Sequence, residues 1–123
     1  DRKPVYFHER EIWWCRLGMN IGHEENGKNQ YFERPVLILR KITRRLAFII
    51  PLTSSDVGIS FCIPIGEISG KDAKVILSQV RIIDIKRLSG KIATLDESSF
   101  GKIKTTTREF LFSDDDFISP LSG

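Results

Sequence analysis

Five polar residues stand at the ends of apparent β-strands or in a long loop, and their side chains are types that handle phosphate and protons. Arg34 opens one strand, and Thr53 and Ser54 close another. His23 and Glu24 lie in the loop between strands. A guanidinium presents a planar fork of donors that matches two phosphate oxygens, and histidine titrates close to neutral pH. The set suits phosphate binding and proton transfer, although a surface arginine, a Thr-Ser turn and a loop histidine are ordinary alternatives.

The sequence lacks the common cofactor and nucleophile signatures, since it contains no GxGxxG, GxxxxGK[ST] or GxSxG pattern. Neither the two cysteines, Cys15 and Cys62, nor the two histidines show CxxC or HxxxH spacing. A structural zinc site is therefore not expected, and we predict no metal and no cofactor. Both cysteines lie in apolar stretches, as buried free thiols do in a reducing cytoplasm.

Positive charge is concentrated away from the C-terminal end of the chain. The 123 residues carry 19 Lys and Arg against 16 Asp and Glu, a net charge of +3. Residues 113–123 hold three aspartates and no base, and subtracting their −3 leaves +6 on residues 1–112. Such a field favours a polyanion, most commonly nucleic acid, although solvated turn charges are the plain alternative. The basic residues form two groups, Arg40, Lys41, Arg44 and Arg45, and Arg81, Lys86, Arg87 and Lys91.

The pattern of apolar residues predicts one mostly β domain over residues 1–112, followed by a short acidic tail over 113–123. Asp96 reads as the N-cap of a closing helix. Five or six short strands and one helix are the material of a small, partly open barrel. The predicted strands are Glu11–Leu17, Val36–Arg40, Leu46–Leu52, Ser60–Ile65, Lys74–Asp84 and Lys91–Leu95, and the apolar stripe of the helix is Phe100, Ile103, Thr107, Phe110 and Leu111.

Two of the strands are apolar on both faces. Val36–Leu39 and Leu46–Leu52 carry apolar residues at odd and even positions alike, so both faces must be covered. One helix covers one face, and we expect a second copy of the chain to cover the other, in a homodimer. Neither run approaches the ~18–20 residues that cross a bilayer, so no membrane association is expected.

Ordered sequence blocks resemble the MazF/PemK toxin family, in a branch with a longer loop. No single block is specific, but the blocks occur in the family's order over about residues 10–112. They are Glu11-Ile12-Trp13, Gly22-His23-Glu24, Arg34-Pro35-Val36-Leu37-Ile38-Leu39, Pro51-Leu52-Thr53-Ser54 and Gln79-Val80-Arg81-Ile82-Ile83-Asp84.

The resemblance implies a small SH3-like barrel that dimerises and cuts single-stranded RNA without a metal. In this family the ribose 2′-OH attacks the phosphate, leaving a 2′,3′-cyclic phosphate and a 5′-OH. Such toxins act in the bacterial cytoplasm, where cleavage of mRNA inhibits translation. A cognate antitoxin occupies the RNA groove. The resemblance therefore implies two partners besides the second subunit, single-stranded RNA and an antitoxin.

The family pattern also implies roles for the five polar residues. Arg34 is expected to stabilise the charge of the phosphorane, since a guanidinium hardly deprotonates. Thr53 and Ser54 are expected to donate hydroxyl hydrogen bonds to the scissile phosphate. His23 is the candidate base or acid. Glu24 either orients Arg34 and the loop or has a purely structural role.

Gln79 and Arg81 are expected to share one face of a strand, with Ser78 on the other. Gln79 is assigned to base or sugar contact, and Arg81 either to phosphate contact or to an internal ion pair. Several family members carry Asp or Glu at the position of Ser78, where it has been assigned as the base. A serine cannot act as the base, so the 2′-OH proton must be accepted by His23, by Glu24 or by water.

The remaining RNA contacts are assigned by charge and by ring type. Arg40 and Lys41 are expected to bind RNA through its phosphates. Phe32 is expected to stack on a base. Trp13 and Trp14 have the same capacity, but core packing is the favoured role for both.

Two rival functions remain open on the sequence. One is a gyrase-poisoning toxin resembling CcdB, whose chain end has an aromatic residue before glycine, whereas Leu121-Ser122-Gly123 lacks the Trp. The other is a barrel that binds RNA without cleaving it, which the serine at position 78 makes credible. Incubation with mixed-sequence RNA in EDTA separates all three.

Overall fold

A computed structural model describes residues 5–17, 33–55 and 61–115 of the chain. It contains seven strands, two 3₁₀ turns and one helix. The predicted strand β2 begins at Glu33 rather than at Val36, so Arg34 lies inside the strand. The strands are β1 Glu11–Arg16, β2 Glu33–Lys41, β3 Leu46–Thr53, β4 Cys62–Ile68, β5 Lys71–Ile76, β6 Arg81–Asp84 and β7 Leu88–Thr94; the turns are Leu77–Gln79 and Ile85–Arg87, and α1 is Glu97–Phe112.

The strands form an antiparallel sheet in the order β4-β5-β3-β2-β1-β7. Strand β3 belongs to both halves of this sheet. Its first half, Leu46–Ile49, pairs with β6, and its last residues, Leu52 and Thr53, pair with β5. Because β3 passes from one half to the other, the sheet curls into a half-barrel. The predicted fold, a mostly β, partly open barrel with a C-terminal helix, is confirmed.

Strands β2 and β3 form the predicted hairpin. The Ile42 and Thr43 amides donate to the Leu46 carbonyl at 3.0 and 3.2 Å. Within the turn, Thr43 Oγ1 accepts from the Arg45 amide at 3.0 Å and from the Leu46 amide at 3.1 Å. The threonine hydroxyl thus replaces backbone acceptors in the turn, and the basic residues around it are left exposed.

Both faces of the central strands are buried, as predicted, but by the chain itself. Residues 36–39 of β2 are all buried. One face packs in a cluster with α1, which contains Ile12, Leu37, Leu39, Ile50, Leu52, Ala73, Val75, Leu77, Leu95, Phe100 and Ile103. The other packs in a cluster under Phe7, which contains Cys15, Leu17, Val36, Ile38, Ala47, Ile49, Ile83, Ile85 and Leu88.

A second subunit is therefore not needed to cover the second face. The inference of a dimer from strands that are apolar on both faces was wrong, because the segment around Phe7 and the turn at Ile85 cover the second face. The homodimer itself stays a prediction.

The single strand predicted over Lys74–Asp84 is wrong. Strand β5 ends at Ile76, the 3₁₀ turn Leu77–Gln79 follows, and β6 begins at Arg81. The apolar run contains no glycine or proline to mark the break, which occurs where the chain moves along one edge of β3, from its last residues, which pair with β5, to its first half, which pairs with β6. Gln79 and Arg81 consequently do not share one strand face.

Helix α1 begins as predicted. The Asp96 carboxylate accepts from the Ser99 amide at 2.9 Å, which satisfies a free donor of the first turn. Phe100, Ile103 and Thr107 are buried on the predicted stripe, whereas Leu111 at its end is exposed. Within the described residues, no helix is both long and apolar enough to span a membrane.

Candidate nucleic-acid interface

Arg34 and Thr53 lie at adjacent ends of neighbouring strands. Strands β2 and β3 pair in a regular register from Ile38 opposite Ile49 to Val36 opposite Pro51. Arg34 and Thr53 each lie two residues beyond the last of these pairs, Arg34 near the start of β2 and Thr53 at the end of β3. The structure places these two predicted site residues at the same end of the β2–β3 pair.

Arg34 is charged and only partly hydrated. It is half-buried, and on its other side β2 pairs it with Cys15 of β1. Burial lowers the pKa of the guanidinium from its ordinary value, although an arginine remains protonated at any physiological pH. A charge with incomplete hydration interacts more strongly with an incoming anion than a fully exposed charge does.

The hydroxyl of Thr53 is oriented by a local turn. Thr53 Oγ1 accepts from the Ser55 amide at 3.1 Å and donates to the Ser55 carbonyl at 3.3 Å. The longer of these bonds is the one that would be exchanged for a phosphate oxygen. Ser54, next in the chain, is exposed. Both hydroxyls thus stand at the rim of the sheet, in reach of solvent.

Four arginines gather around this end of the sheet. Burial raises the pKa of the Cys15 thiol to about 11, while the charges of Arg87, Arg81 and Arg16 act to lower it. Cys15 is itself paired with Arg34 on β2, so the four arginines lie around the β1–β2 end of the sheet, where Glu33 adds one negative charge. We call Arg16, Arg34, Arg81 and Arg87 the arginine cluster. Its charge suits the phosphates of a nucleic acid.

Arg81 joins the cluster from β6 rather than from one long strand with Gln79. It is exposed and lies opposite Ile49, on the face of the second cluster. Among the described residues it forms no ion pair, so the predicted internal pair is not seen there. Gln79 ends a 3₁₀ turn, and its amide oxygen is buried without a hydrogen-bond partner in the described structure.

Arg40 and Lys41 are not part of this site. They lie at the opposite end of β2 from Arg34, a separation of about 20 Å at ~3.3 Å per residue. The Lys41 amide donates to Glu9 Oε2 at 3.3 Å, and Lys41 Nζ lies 4.9 Å from the centre of the Phe7 ring. If these residues bind RNA, they do so on a second surface.

The two tryptophans have different surroundings. Trp13 packs against the second cluster, and its Nε1 donates to Glu11 Oε1 at 2.9 Å. Trp14 is 42% exposed and lines a groove of about 290 Å³ beside Thr53 and Ser54. The packing role predicted for Trp14 was wrong, because the side chain lies on the face of the buried Ile12 but two residues further along β1, where it is only partly covered.

Three predicted site residues, His23, Glu24 and Phe32, lie outside the described residues. Ser78 is exposed within the 3₁₀ turn. Over residues 5–17, 33–55 and 61–115, no three His, Cys, Asp or Glu side chains are grouped so that they could hold a metal ion. Sequence reasoning missed Arg16 and Trp14, and strand alternation next to Arg34 was the only signal for them.

Comparison with known proteins gives one family and a consistent set of folds. Residues 8–111 match the family model of PemK-like, MazF-like toxins of type II toxin–antitoxin systems. No match was found among curated protein sequences.

Several solved structures share the fold at low sequence identity. MazF of Deinococcus radiodurans (Form-I) is 21% identical with a TM-score of 0.67, over 87% of this chain and 98% of that one. The MazE–MazF structure (Form-II) from the same organism gives 21% and 0.65, over 87% and 97%. Toxin MazF-mt6 of Mycobacterium tuberculosis gives 20% and 0.60, over 81% and 94%.

Proposed function

The chain belongs to the PemK-like, MazF-like toxins of type II toxin–antitoxin systems, and from this we propose that it is a metal-independent endoribonuclease that cleaves single-stranded mRNA. The observation that carries the proposal is the position of Arg34 and Thr53 at adjacent strand ends, within the arginine cluster. A phosphate between these two side chains meets a charged fork and a hydroxyl donor.

The reaction requires three contributions from the protein: stabilisation of negative charge, a hydrogen bond to the phosphorane and proton transfer. The ribose 2′-oxygen forms a bond to phosphorus and the bond to the 5′-oxygen breaks, which leaves a 2′,3′-cyclic phosphate and a 5′-OH. Arg34 stabilises the extra negative charge of the phosphorane, and Thr53 donates to one of its oxygens. His23 accepts the 2′-OH proton, with Glu24 or water as the next candidate, and the leaving 5′-oxygen takes a proton from the protonated acceptor or from water. Ser78 has no titrating group for these proton transfers.

The partners follow from the family and from the surface. We infer that a cognate antitoxin masks the RNA-binding surface, as the MazE–MazF structure contains a relative of this chain with its partner. We also infer a homodimer in the cytoplasm. Apolar side chains left exposed outside the two clusters, Leu46, Ile82, Leu111 and Phe112, supply apolar surface for a second copy.

The deciding experiment is incubation of the purified protein with mixed-sequence single-stranded RNA in EDTA. We expect fragments that end in a cyclic phosphate. Arg34→Ala should lower single-turnover cleavage by about 10²–10³, because the charge stabilisation is lost at every pH. Arg44→Ala removes one positive charge from the distant hairpin turn and is the matched control.

Other results would replace the proposal. Cleavage that disappears in EDTA and returns with magnesium would exclude the metal-independent mechanism. RNA binding without fragments would indicate a binding barrel rather than an enzyme. Equal losses in Arg34→Ala and Arg44→Ala would show that only total charge matters.

A further inference from the structure

The groove beside Trp14 has the properties of a site for a flat, uncharged ring. We propose that it binds one unpaired base of the RNA, next to the phosphate held by Arg34 and Thr53; this rests on the proposed function and adds a specificity site to it. Trp14 and Pro35 are opposed on β1 and β2, so an indole and a pyrrolidine ring stand side by side at the entrance.

The walls and floor of the groove are apolar. Its apolar lining residues are Trp14, Pro35, Leu52, Ile68, Ala73 and Ile92. With a volume of about 290 Å³, it lies at the small end of ligand pockets, which measure roughly 300–1,000 Å³. Aromatic side chains that bind single-stranded nucleic acids stack on base faces. An exposed tryptophan in an apolar slot offers such a face.

The rim of the groove is polar but carries no net charge. It contains the hydroxyls of Ser54 and Ser69, the ammonium group of Lys71 and the carboxylate of Asp72. These groups supply both donors and acceptors, which is what the edge of a base requires. With Lys71 and Asp72 cancelling each other, the groove has no net attraction for a phosphate, whereas the arginine cluster has one, so we expect the base in the groove and the phosphate at the cluster.

The base site and the phosphate site are continuous at the end of the sheet. Thr53 borders the groove and lies at the same end of the β2–β3 pair as Arg34. Trp14 and Pro35 lie on the face of the sheet that packs on α1, whereas Arg34, paired with Cys15, lies on the other face. A nucleotide that straddles the strand ends therefore places its phosphate on one face and its base on the other.

The test uses the full chain and an RNA that cannot be cleaved because its riboses are 2′-O-methylated. Binding should quench tryptophan fluorescence in the wild type and much less in Trp14→Phe. Trp14→Ala should weaken binding about tenfold to a hundredfold, with Trp14→Phe retaining most of the affinity. The slope of affinity against salt should stay unchanged, because no phosphate contact is lost. Tyr6→Ala removes another exposed ring and is the control.

A second measurement varies the RNA and begins with the wild-type protein alone. An abasic nucleotide, introduced at each position of the RNA in turn, should weaken wild-type binding most at one position. At that position it should cost little further affinity in Trp14→Ala, since the two changes remove the same contact. Additive losses, or no position-specific loss, would overturn the proposal even if Trp14→Ala failed to fold.

The outcomes separate the base site from the proposed function. Cleavage of ordinary RNA together with unchanged binding by Trp14→Ala would reject the groove and leave the enzyme. Quenching and weakened binding without any cleavage would keep the groove as a base site and reject the enzyme.

Discussion

In the proposed mechanism, Arg34 and Thr53 contribute in different ways to the same phosphate. The guanidinium is held by the strand and by its half-buried position, so little of its donor geometry has to be organised when an anion arrives. The threonine hydroxyl is aligned by its two contacts with Ser55. Loss of the arginine removes charge, whereas loss of the hydroxyl removes a single donor.

The role of Thr53 can be tested by its hydroxyl alone. Thr53→Val keeps the branched shape but removes the donor, and we expect single-turnover cleavage to fall by about 10²–10³. Thr53→Ser keeps the hydroxyl and should stay within about tenfold of the wild type. Similar losses in the two variants would assign Thr53 to packing at the end of β3 instead of to the phosphate.

His23 is the candidate proton acceptor because an unperturbed imidazole titrates at about 6.5. His23→Ala should lower single-turnover cleavage by about 10²–10⁴ and flatten the acid limb of the pH–rate profile. RNA affinity should change little, because a neutral histidine adds no attraction to phosphate. A rate within threefold of the wild type, with the same pH profile, would pass the role to Glu24, for which Glu24→Gln is the matching test.

Arg34 and Thr53 were predicted as site residues from the family resemblance, and the apolar runs beside them located the strand ends. Trp14 was predicted incorrectly, because a buried cluster covers each face of the sheet and nothing local says how far along β1 that cover extends. Arg16 was missed for the same reason. Which residue faces outward depends on the elements that pack on each side.

At the level of elements, the carboxylate of Glu11 acts as a hub that joins β1 to its neighbours through hydrogen bonds and an ion pair. Glu11 is buried and accepts from the His8 amide at 2.9 Å and from Trp13 Nε1 at 2.9 Å. Lys91 Nζ of β7 lies 3.2 Å from its other oxygen. The carboxylate therefore joins the N-terminal segment, β1 and β7, the elements that hold the Trp14 groove in place.

This hub predicts a pH dependence of stability. Burial raises the pKa of Glu11, but hydrogen bonds from Trp13, His8 and Lys91 outweigh it and leave the pKa below its ordinary value of 4.5. A lowered pKa stabilises the fold above the ordinary value, and that stabilisation is lost as the pH falls through the folded-state value. Glu11→Gln should lower the free energy of unfolding by about 1–2 kcal/mol at pH 7.

The measurement is chemical denaturation of both proteins between pH 7 and pH 3. The wild type should lose its advantage over Glu11→Gln below about pH 4.5. A constant difference across that range would show that Glu11 acts by shape alone. Glu67→Gln, at an exposed position of β4, controls for the loss of a negative charge.

Elements whose ends carry a clear sequence signal were predicted correctly, whereas the break between β5 and β6, which has no such signal, was not. The Asp96 cap located the start of α1, and a basic turn located the β2–β3 hairpin. The break at Leu77–Gln79 has no such signal, because it is imposed by β3, which pairs with β5 at one end and with β6 at the other. Tertiary pairing of this kind overrides the local pattern.

At the scale of the whole molecule, the chain covers its own central strands and leaves a different surface for association. Among the described strands, β6 pairs with β3 alone, which leaves its other edge open. Ile82 of β6 is 54% exposed. An open edge with exposed apolar residues favours pairing with another chain, so this edge is the candidate dimer surface.

We predict that the protein is a dimer in light scattering at tens of micromolar and that Ile82→Glu shifts it towards the monomer. A charge buried at an interface without a partner destabilises association. Ile42→Glu, in the exposed hairpin turn, should leave the mass unchanged. A monomeric wild type at that concentration, or equal effects of both variants, would contradict the prediction.

Cys15 gives the molecule an internal probe of local opening. Its thiol is free and fully buried, and its backbone is paired with that of Arg34 across the first two strands. With a pKa of about 11, only about one thiol in a thousand is ionised at pH 8 even before access is considered. Alkylation therefore waits until β1 and β2 separate, whereas the partly exposed Cys62 reacts without that step. The ratio of the two alkylation rates therefore measures how often β1 and β2 separate and disrupt the arginine cluster, and the measurement needs no substitution in the chain.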